Sequence, residues 1–226
     1  MLAMPAFPPS TKEQIVLAGE RLFAEHGVDG ISLRQIGLAA GTENNSAVQY
    51  HFGTKDQLVQ AIFEYRLPLL HLRRAHLMAT TETGTLRDLL SCQVLPVMEQ
   101  AEQPGSHYLS FIAMLRQYRR LDVVKGLPAE FVDPMRALSE QVIARLPDLP
   151  PGLAVHRYAR AMSLLVQAGA DRERANADGR PVTAFNLDVG DLLDCMAAIL
   201  EAPASAVVVA AIGKGDGVGI LATLFP

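Results

Sequence analysis

Cysteine occurs only at positions 92 and 195 of this 226-residue chain, tryptophan is absent, and strand-forming patterns are missing before Ala202. Two solitary cysteines without C-x-x-C spacing exclude a zinc ribbon and a disulfide framework, and both read as core thiols of a reducing cytoplasm. Positive charge is also in short supply. Twenty Lys and Arg stand against 24 Asp and Glu, a net of −4 with a pI near 5.9, which excludes a polycation that holds nucleic acid by charge alone. The opening MLAMPAFPPS has no basic residue and no long apolar stretch, so it reads as a loose arm and not as a signal peptide. No glycine-rich phosphate loop opens a helix, and no nucleophile stands in a recognisable motif with a base. His71, His76 and His107 lack acidic or cysteine partners at helical spacing, so no metal and no cofactor are implied.

What is present is helix. Half of the residues are apolar, and long segments repeat at helical spacing. The expected class is all-α, with an N-terminal three-helix unit and a larger helical C-terminal unit. Ser32 with Gln35 forms a capping box, so a helix starts near Leu33; Leu33, Ile36, Ala39 and Ala40 continue its buried side, and Gly41 ends it in the left-handed conformation. In the segment Asn45 to Phe52, Val48 and Phe52 lie four apart and dock inward, while Asn45 and Gln49, also four apart, face out. Thr54 with Gln57 is a second capping box, Asp56 suits the positive end of that helix, and Leu58, Ile62 and Phe63 continue its stripe.

That plan is a helix-turn-helix followed by a helix start carrying a lysine. Asn and Gln can pair with adenine, and Arg with guanine, in the major groove, which makes Arg34, Asn44, Asn45 and Gln49 candidate base readers. Lys55, beside unpaired backbone N–H groups, is a candidate phosphate clamp, with Ser32, Tyr50 and His51 as further donors. Between Ser10 and Arg66, five basic side chains (Lys12, Arg21, Arg34, Lys55, Arg66) face seven acidic ones (Glu13, Glu20, Glu25, Asp29, Glu43, Asp56, Glu64). With Glu13, Glu20 and Glu25 pointing to solvent away from the groove side, such a domain can still bind, and weak non-specific affinity is expected.

From Thr11 to about Leu67 the chain resembles the DNA-binding domain of the TetR family of bacterial transcription regulators. The resemblance rests on Phe23-Ala-Glu-His-Gly27 at the end of the first helix, on Ser32, Ile36 and the less usual Gly37 in the second, on Ala40-Gly41 in the turn, and on His51-Phe52-Gly53-Thr54-Lys55. The Thr42–Ala47 stretch is one residue longer than the common form, and the family's frequent phosphate-binding Tyr falls on Gln49, with Tyr50 beside it. The resemblance implies a cytoplasmic homodimer on a palindromic operator of double-stranded DNA, more often a repressor than an activator, released by a small molecule held in the C-terminal domain.

Beyond Arg66 the spacing predicts helices at about 67–80, 85–101 with a kink at Pro96, 106–120, 128–146, 152–171 and 187–201, joined by the Thr80–Gly84 run, Pro104-Gly105, the Leu146–Gly152 cluster and a polar 171–186 connector. The domain reading is an arm at 1–10, a helix-turn-helix domain at 11–67, a ligand-binding and dimerisation domain at 68–201, and an apolar, glycine-containing tail at 202–226. Pro68 is placed to kink the joining helix. The stripes on 152–171 and 187–201 suit a four-helix dimer interface. Met98, His107, Phe111, Met114, Tyr118 and Met135, with Tyr108, Leu115 and Phe131 beside them, suit the lining of a cavity for a hydrophobic or aromatic effector. In the tail, Val207 to Val209 and the following glycines fit a strand pair, a disordered end or an apolar segment laid on a partner, and the run is too short and too interrupted to span a membrane. The alternatives to a ligand-responsive regulator are an architectural DNA-binding protein without a ligand and, last, an all-α enzyme using the C-terminal pocket.

Overall fold

In the computed structural model, residues 10–42, 47–82, 84–118, 120 and 125–213 are described, and they form ten helices and no strand. Asn44 and Asn45 lie outside the described residues, as does the tail from 214. The helices are α1 (Thr11–His26), α2 (Leu33–Ala39), α3 (Ala47–Phe52), α4 (Lys55–Thr80), α5 (Leu86–Ala101), α6 (Tyr108–Gln117), α7 (Ala129–Ala144), α8 (Pro151–Ala177), α9 (Phe185–Glu201) and α10 (Ala206–Gly213).

Local chemistry sets most N-termini of the first half. Ser10/Glu13, Ser32/Gln35, Thr54/Gln57 and Thr85/Asp88 each form a reciprocal cap at the starts of α1, α2, α4 and α5. A cap of this kind contributes about 1 kcal/mol. The turn after α2 is a Schellman motif: Gly41 has φ +70°, its N–H donates to the Leu38 carbonyl at 3.1 Å, and the Thr42 N–H donates to that of Gly37 at 3.1 Å.

Two apolar clusters form the core. One gathers α1 to α4 with α6 and parts of α7 and α8, and the other gathers α5, α7, α8 and α9. The first cluster runs without a break from the N-terminal helices into α6, where Phe111 lies 6.3 Å from Phe23 and 5.7 Å from Phe63 between ring centroids.

Several expectations are corrected. The joining helix does not begin anew near residue 67: α4 is one 26-residue helix that passes through Pro68. Pro68 removes one backbone hydrogen bond, and buried Leu67 and Leu70 on either side hold the helix together. The polar connector at 171–186 shrinks because α8 continues to Ala177, its last turns anchored by buried Arg172 and Glu173. Val207 to Val209 are helical in α10 and not strand, with the Val209 N–H donating to the Ser205 carbonyl at 3.0 Å. Cys92 is buried as expected, whereas Cys195 is exposed on α9. Glu20, expected to point to solvent, is 1% exposed. Among the described residues no single helix is long and apolar enough to cross a membrane.

Candidate functional site

The α2–turn–α3 unit begins with packing. Val48 and Phe52 are buried, and a Cβ on Gly37 would come within 3.2 Å of both Val48 Cγ2 and Thr42 Oγ1, so this glycine lets α3 sit close on α2. With that face fixed, Gln49, Tyr50 and His51 emerge on the other side, Tyr50 at 85% exposure with its ring edge-on to His51 at 5.3 Å. Arg34 is exposed on α2. Gln49, Tyr50, His51 and Lys12 share one shallow surface groove with the start of α4.

Two candidates have other engagements. The Ser32 hydroxyl donates to Gln35 Oε1 at 2.7 Å and accepts from the Gln35 N–H at 3.3 Å, which commits it to capping. Lys55 Nζ donates to the Val28 carbonyl at 2.8 Å and lies 3.5 Å from that of Asp29, so part of its donor capacity braces the α1–α2 turn. Lys12, whose ammonium sits 6.0 Å from the Phe52 ring centroid, is the cation that sequence reasoning left out of the site. Its place at the start of an amphipathic first helix was the available signal.

The negative count of this region is moderated by pairing. Glu20 and Arg66 neutralise each other in the interior, with contacts of 2.7 Å from Arg66 Nε and Nη2 to the two carboxylate oxygens. Arg120, from beyond α6, pairs with Asp29 at 3.2 Å and with Asp56 at 2.6 Å.

A second feature lies about 28 Å along α4 from Lys55, at 1.5 Å per residue, where Arg74 enters a cavity between α4, α5, α6, α7 and α8. Its wall is mostly apolar, with Leu70, Ile112, Met135, Met162 and Leu165 prominent, and the polar side chains facing it include Arg74, Gln93, Arg116, Tyr108 and Tyr158. Burial raises the phenol pKa of Tyr108 and pushes that of Tyr158 up to about 12, with the Arg74 charge pulling both the other way. Burial pulls the Arg74 guanidinium down from its ordinary value, and it pulls His71 down together with the Arg74 charge.

Of the six residues predicted to line an effector cavity, Met135 does so. Phe111 is instead the aromatic bridge to α1 and α4, because the face of α6 that carries it turns toward Phe23 and Phe63. Met98 is wholly buried in the second apolar cluster, Met114 and Tyr118 border a surface groove beside Gly27, and His107 is the N-cap of α6. Sequence reasoning missed Arg74, Gln93, Arg116 and Tyr158, since arginine on a helix ordinarily signals a solvated face.

Residues 15–62 match the model of the family described as bacterial regulatory proteins, tetR family. Over 145 residues, 64% of the chain, the sequence is 27% identical to two proteins of Pseudomonas putida, the HTH-type transcriptional regulator TtgR and the probable HTH-type transcriptional regulator ArpR. In both comparisons the match spans 63% of the relative's length, a little under two thirds. Among solved structures, native NalD, the secondary repressor of the MexAB-OprM multidrug efflux pump in Pseudomonas aeruginosa, aligns with a TM-score of 0.54 at 24% identity over 86% of this chain and 98% of that one. The fatty acid degradation regulator FadR from Bacillus halodurans aligns with a TM-score of 0.55 at 15% identity over 84% and 96%. These two likenesses establish the fold. The matched region coincides with the α1–α4 unit just described, and that part of the chain, residues 15–62, is a unit of the tetR family of bacterial regulatory proteins.

Proposed function

We propose that the protein is a cytoplasmic, homodimeric DNA-binding regulator of transcription, a repressor that leaves a palindromic operator when a small molecule occupies the cavity crossed by α4. The observation that carries this reading is the six-residue α3, held by Val48 and Phe52 so that Gln49, Tyr50 and His51 project together, with Arg34 exposed on α2 and Lys12 beside the same groove. A side-chain amide at that place can pair with adenine, and Arg34 with guanine. Lys12, His51 and the remaining donors of Lys55 suit phosphates, which position the helix without reading sequence. Ser32 contributes through its cap.

Dimerisation follows from size. A helix of six residues is about 9 Å long and reaches few base pairs, so two copies on a two-fold axis are needed for useful affinity, with reading helices about 34–36 Å apart. The exposed face of α9, with Leu187 and Cys195 on it, supports the assignment of α8 and α9 to that contact. The division into an arm at 1–10, a DNA-binding unit at 11–67 and a ligand-binding and dimerisation unit at 68–201 is part of the same reading, with α4 as the rigid member common to both units.

Ligand response also has a physical route. Because α4 is continuous from Lys55 to Thr80, a molecule that displaces Arg74 or Leu70 moves a helix whose other end carries the groove-side residues. A ligand shifts the equilibrium only by its differential affinity for the two states, and emptying an operator takes a few kcal/mol.

The test is selection of bound duplexes from a random library at moderate salt, with wild type and an Arg34→Ala/Gln49→Ala variant in parallel. An enriched palindrome that the variant loses supports a dimeric sequence reader. Absence of enrichment at low salt, with and without cell-extract metabolites, would sink it.

A further inference from the structure

The cavity holds two cations without counter-charges. Arg74 is 5% exposed; its Nη1 contacts His71 Nδ1 at 3.2 Å, and its Nε has no hydrogen-bond partner. Since arginine only donates, His71 Nδ1 must accept, so the histidine beside it is neutral and offers no compensation. Arg116 reaches Ser163 Oγ through Nη2, while its Nη1 is buried and unpartnered. Gln93, 6% exposed, presents an unsatisfied Oε1 to the same space. Among the described residues neither guanidinium has an ion pair. Among the described residues the arginines buried like Arg74 are paired: Arg66 is gripped by Glu20, and Arg172 by Glu102 and Asp188.

A buried charge without a partner is costly, and so is each orphaned donor, which marks the unpaired Arg74 guanidinium, with the half-buried Arg116 on the same wall, as a place for an anion. We infer that the cavity is built for an organic acid, whose carboxylate is held by the Arg74 guanidinium with the Arg116 charge on the same wall, and whose apolar body lies against Leu70, Ile112, Met135 and Leu165. A carboxylate matches the planar fork of a guanidinium through two parallel hydrogen bonds, and its single charge is the smallest anion that satisfies the site. Gln93 Oε1 then accepts from a hydroxyl or N–H on the ligand. The inference deepens the ligand-responsive reading and rests on it for the consequence on DNA, though not for the binding itself.

The experiment uses the full-length protein and a set of alkanoic and arylalkanoic acids of about six to twelve carbons, each beside its own primary amide, so that the series itself reports the body size that the cavity takes. Affinities are measured by calorimetry near neutral pH for wild type, Arg74→Met, Arg74→Lys and Arg116→Met, with occupancy of the selected operator measured alongside. The expected result is acids binding at least about tenfold tighter than their amides in wild type, and loss of that preference by about 30-fold or more in Arg74→Met while the amide's affinity is kept. Retained amide binding certifies an intact pocket; if Arg74→Met does not fold, Arg74→Lys, which keeps charge but not the fork, and Arg116→Met must each weaken the acid selectively. Equal affinity for acid and amide, unchanged preference in the arginine variants, or no binding by any acid overturns the inference. Arginine-dependent acid binding that leaves operator occupancy unchanged upholds it and removes ligand control, whereas a neutral compound that empties the operator where acids do not bind does the reverse.

Discussion

Glu20 of α1 and Arg66 of α4 meet through two parallel contacts of 2.7 Å, in a place where the Glu20 side chain is 1% exposed. Glu20 Oε1 also accepts the His107 N–H at 3.0 Å, so one carboxylate joins the first helix, the long helix and the start of α6. Removing one partner of such a pair leaves the other charged and buried. Glu20→Gln is therefore expected to lower unfolding free energy by about 3–5 kcal/mol in urea denaturation. Exchanging both for methionine should recover much of that loss, though the His107 N–H stays unsatisfied. A Glu20→Gln loss under about 1 kcal/mol would mean that the pair does not hold the helices together.

Lys55 and Gln49 should separate in their effects on DNA. Lys55→Ala is expected to weaken binding to every duplex alike and to reduce the slope of log affinity against log salt by about 0.9 if the ammonium neutralises one phosphate. Its contact with the Val28 carbonyl adds a stability cost of about 1 kcal/mol, which urea denaturation reads independently. Gln49→Ala is expected to leave the slope alone and to change preference among sequences at one position, by about 1–3 kcal/mol. Competition titrations at several salt concentrations decide this, and equal loss on all sequences for both variants would contradict the roles given to them.

Glu173 sits at the N-terminus of α6, accepting from the Leu109 N–H at 3.0 Å, the Ser110 N–H at 2.8 Å and the Ser106 hydroxyl at 2.8 Å. Burial outweighs these donors and raises its pKa. The folded state then binds the proton more tightly than the unfolded one, so the stability linked to that proton is fully present below the unfolded value and is lost as pH rises through the folded one. Glu102 has the opposite sign: the Arg172 hydrogen bond lowers its pKa, and its contribution is present above the unfolded value and lost as pH falls through the folded one. Thermal unfolding from about pH 4.5 to 8 should show a decline toward higher pH that Glu173→Gln flattens, even though that variant is less stable by about 1–3 kcal/mol through the lost acceptor. An unchanged pH profile would place the titration elsewhere.

How far the sequence led depended on how far apart the partners were. Ser32 with Gln35 and Thr54 with Gln57 are three residues apart, so the starts of α2 and α4 were readable from chemistry alone. The inward and outward faces of α3 followed from spacing in the same way. Glu20, Arg66 and Glu173 were not readable, because the groups that stabilise their burial are 46 to 87 residues away, and an isolated charge in a helical pattern predicts a solvated face. The same rule concealed the end of α8, whose polar 171–177 segment looks like a connector until Arg172 is seen between Glu102 and Asp188. The cavity was misplaced for a related reason. Methionine and aromatic residues suggested its wall, yet Phe111 and Met98 complete the core, and the side chains that distinguish the cavity are arginines.

Arg74 gives the last prediction, because a site prepared for a ligand carries its cost when empty. Its guanidinium is buried, has no carboxylate partner, and is held below its ordinary pKa by desolvation. Met can occupy much of the same volume without a charge to desolvate, so Arg74→Met is expected to stabilise the ligand-free protein by about 1–3 kcal/mol. A gain of this kind in a residue that the fold does not need is what a trade between stability and binding produces. The check is urea denaturation of ligand-free wild type and variant. If the slopes against denaturant agree, a shift in midpoint reports stability alone, whereas a variant less stable than wild type would show that Arg74 supports the fold of the empty protein.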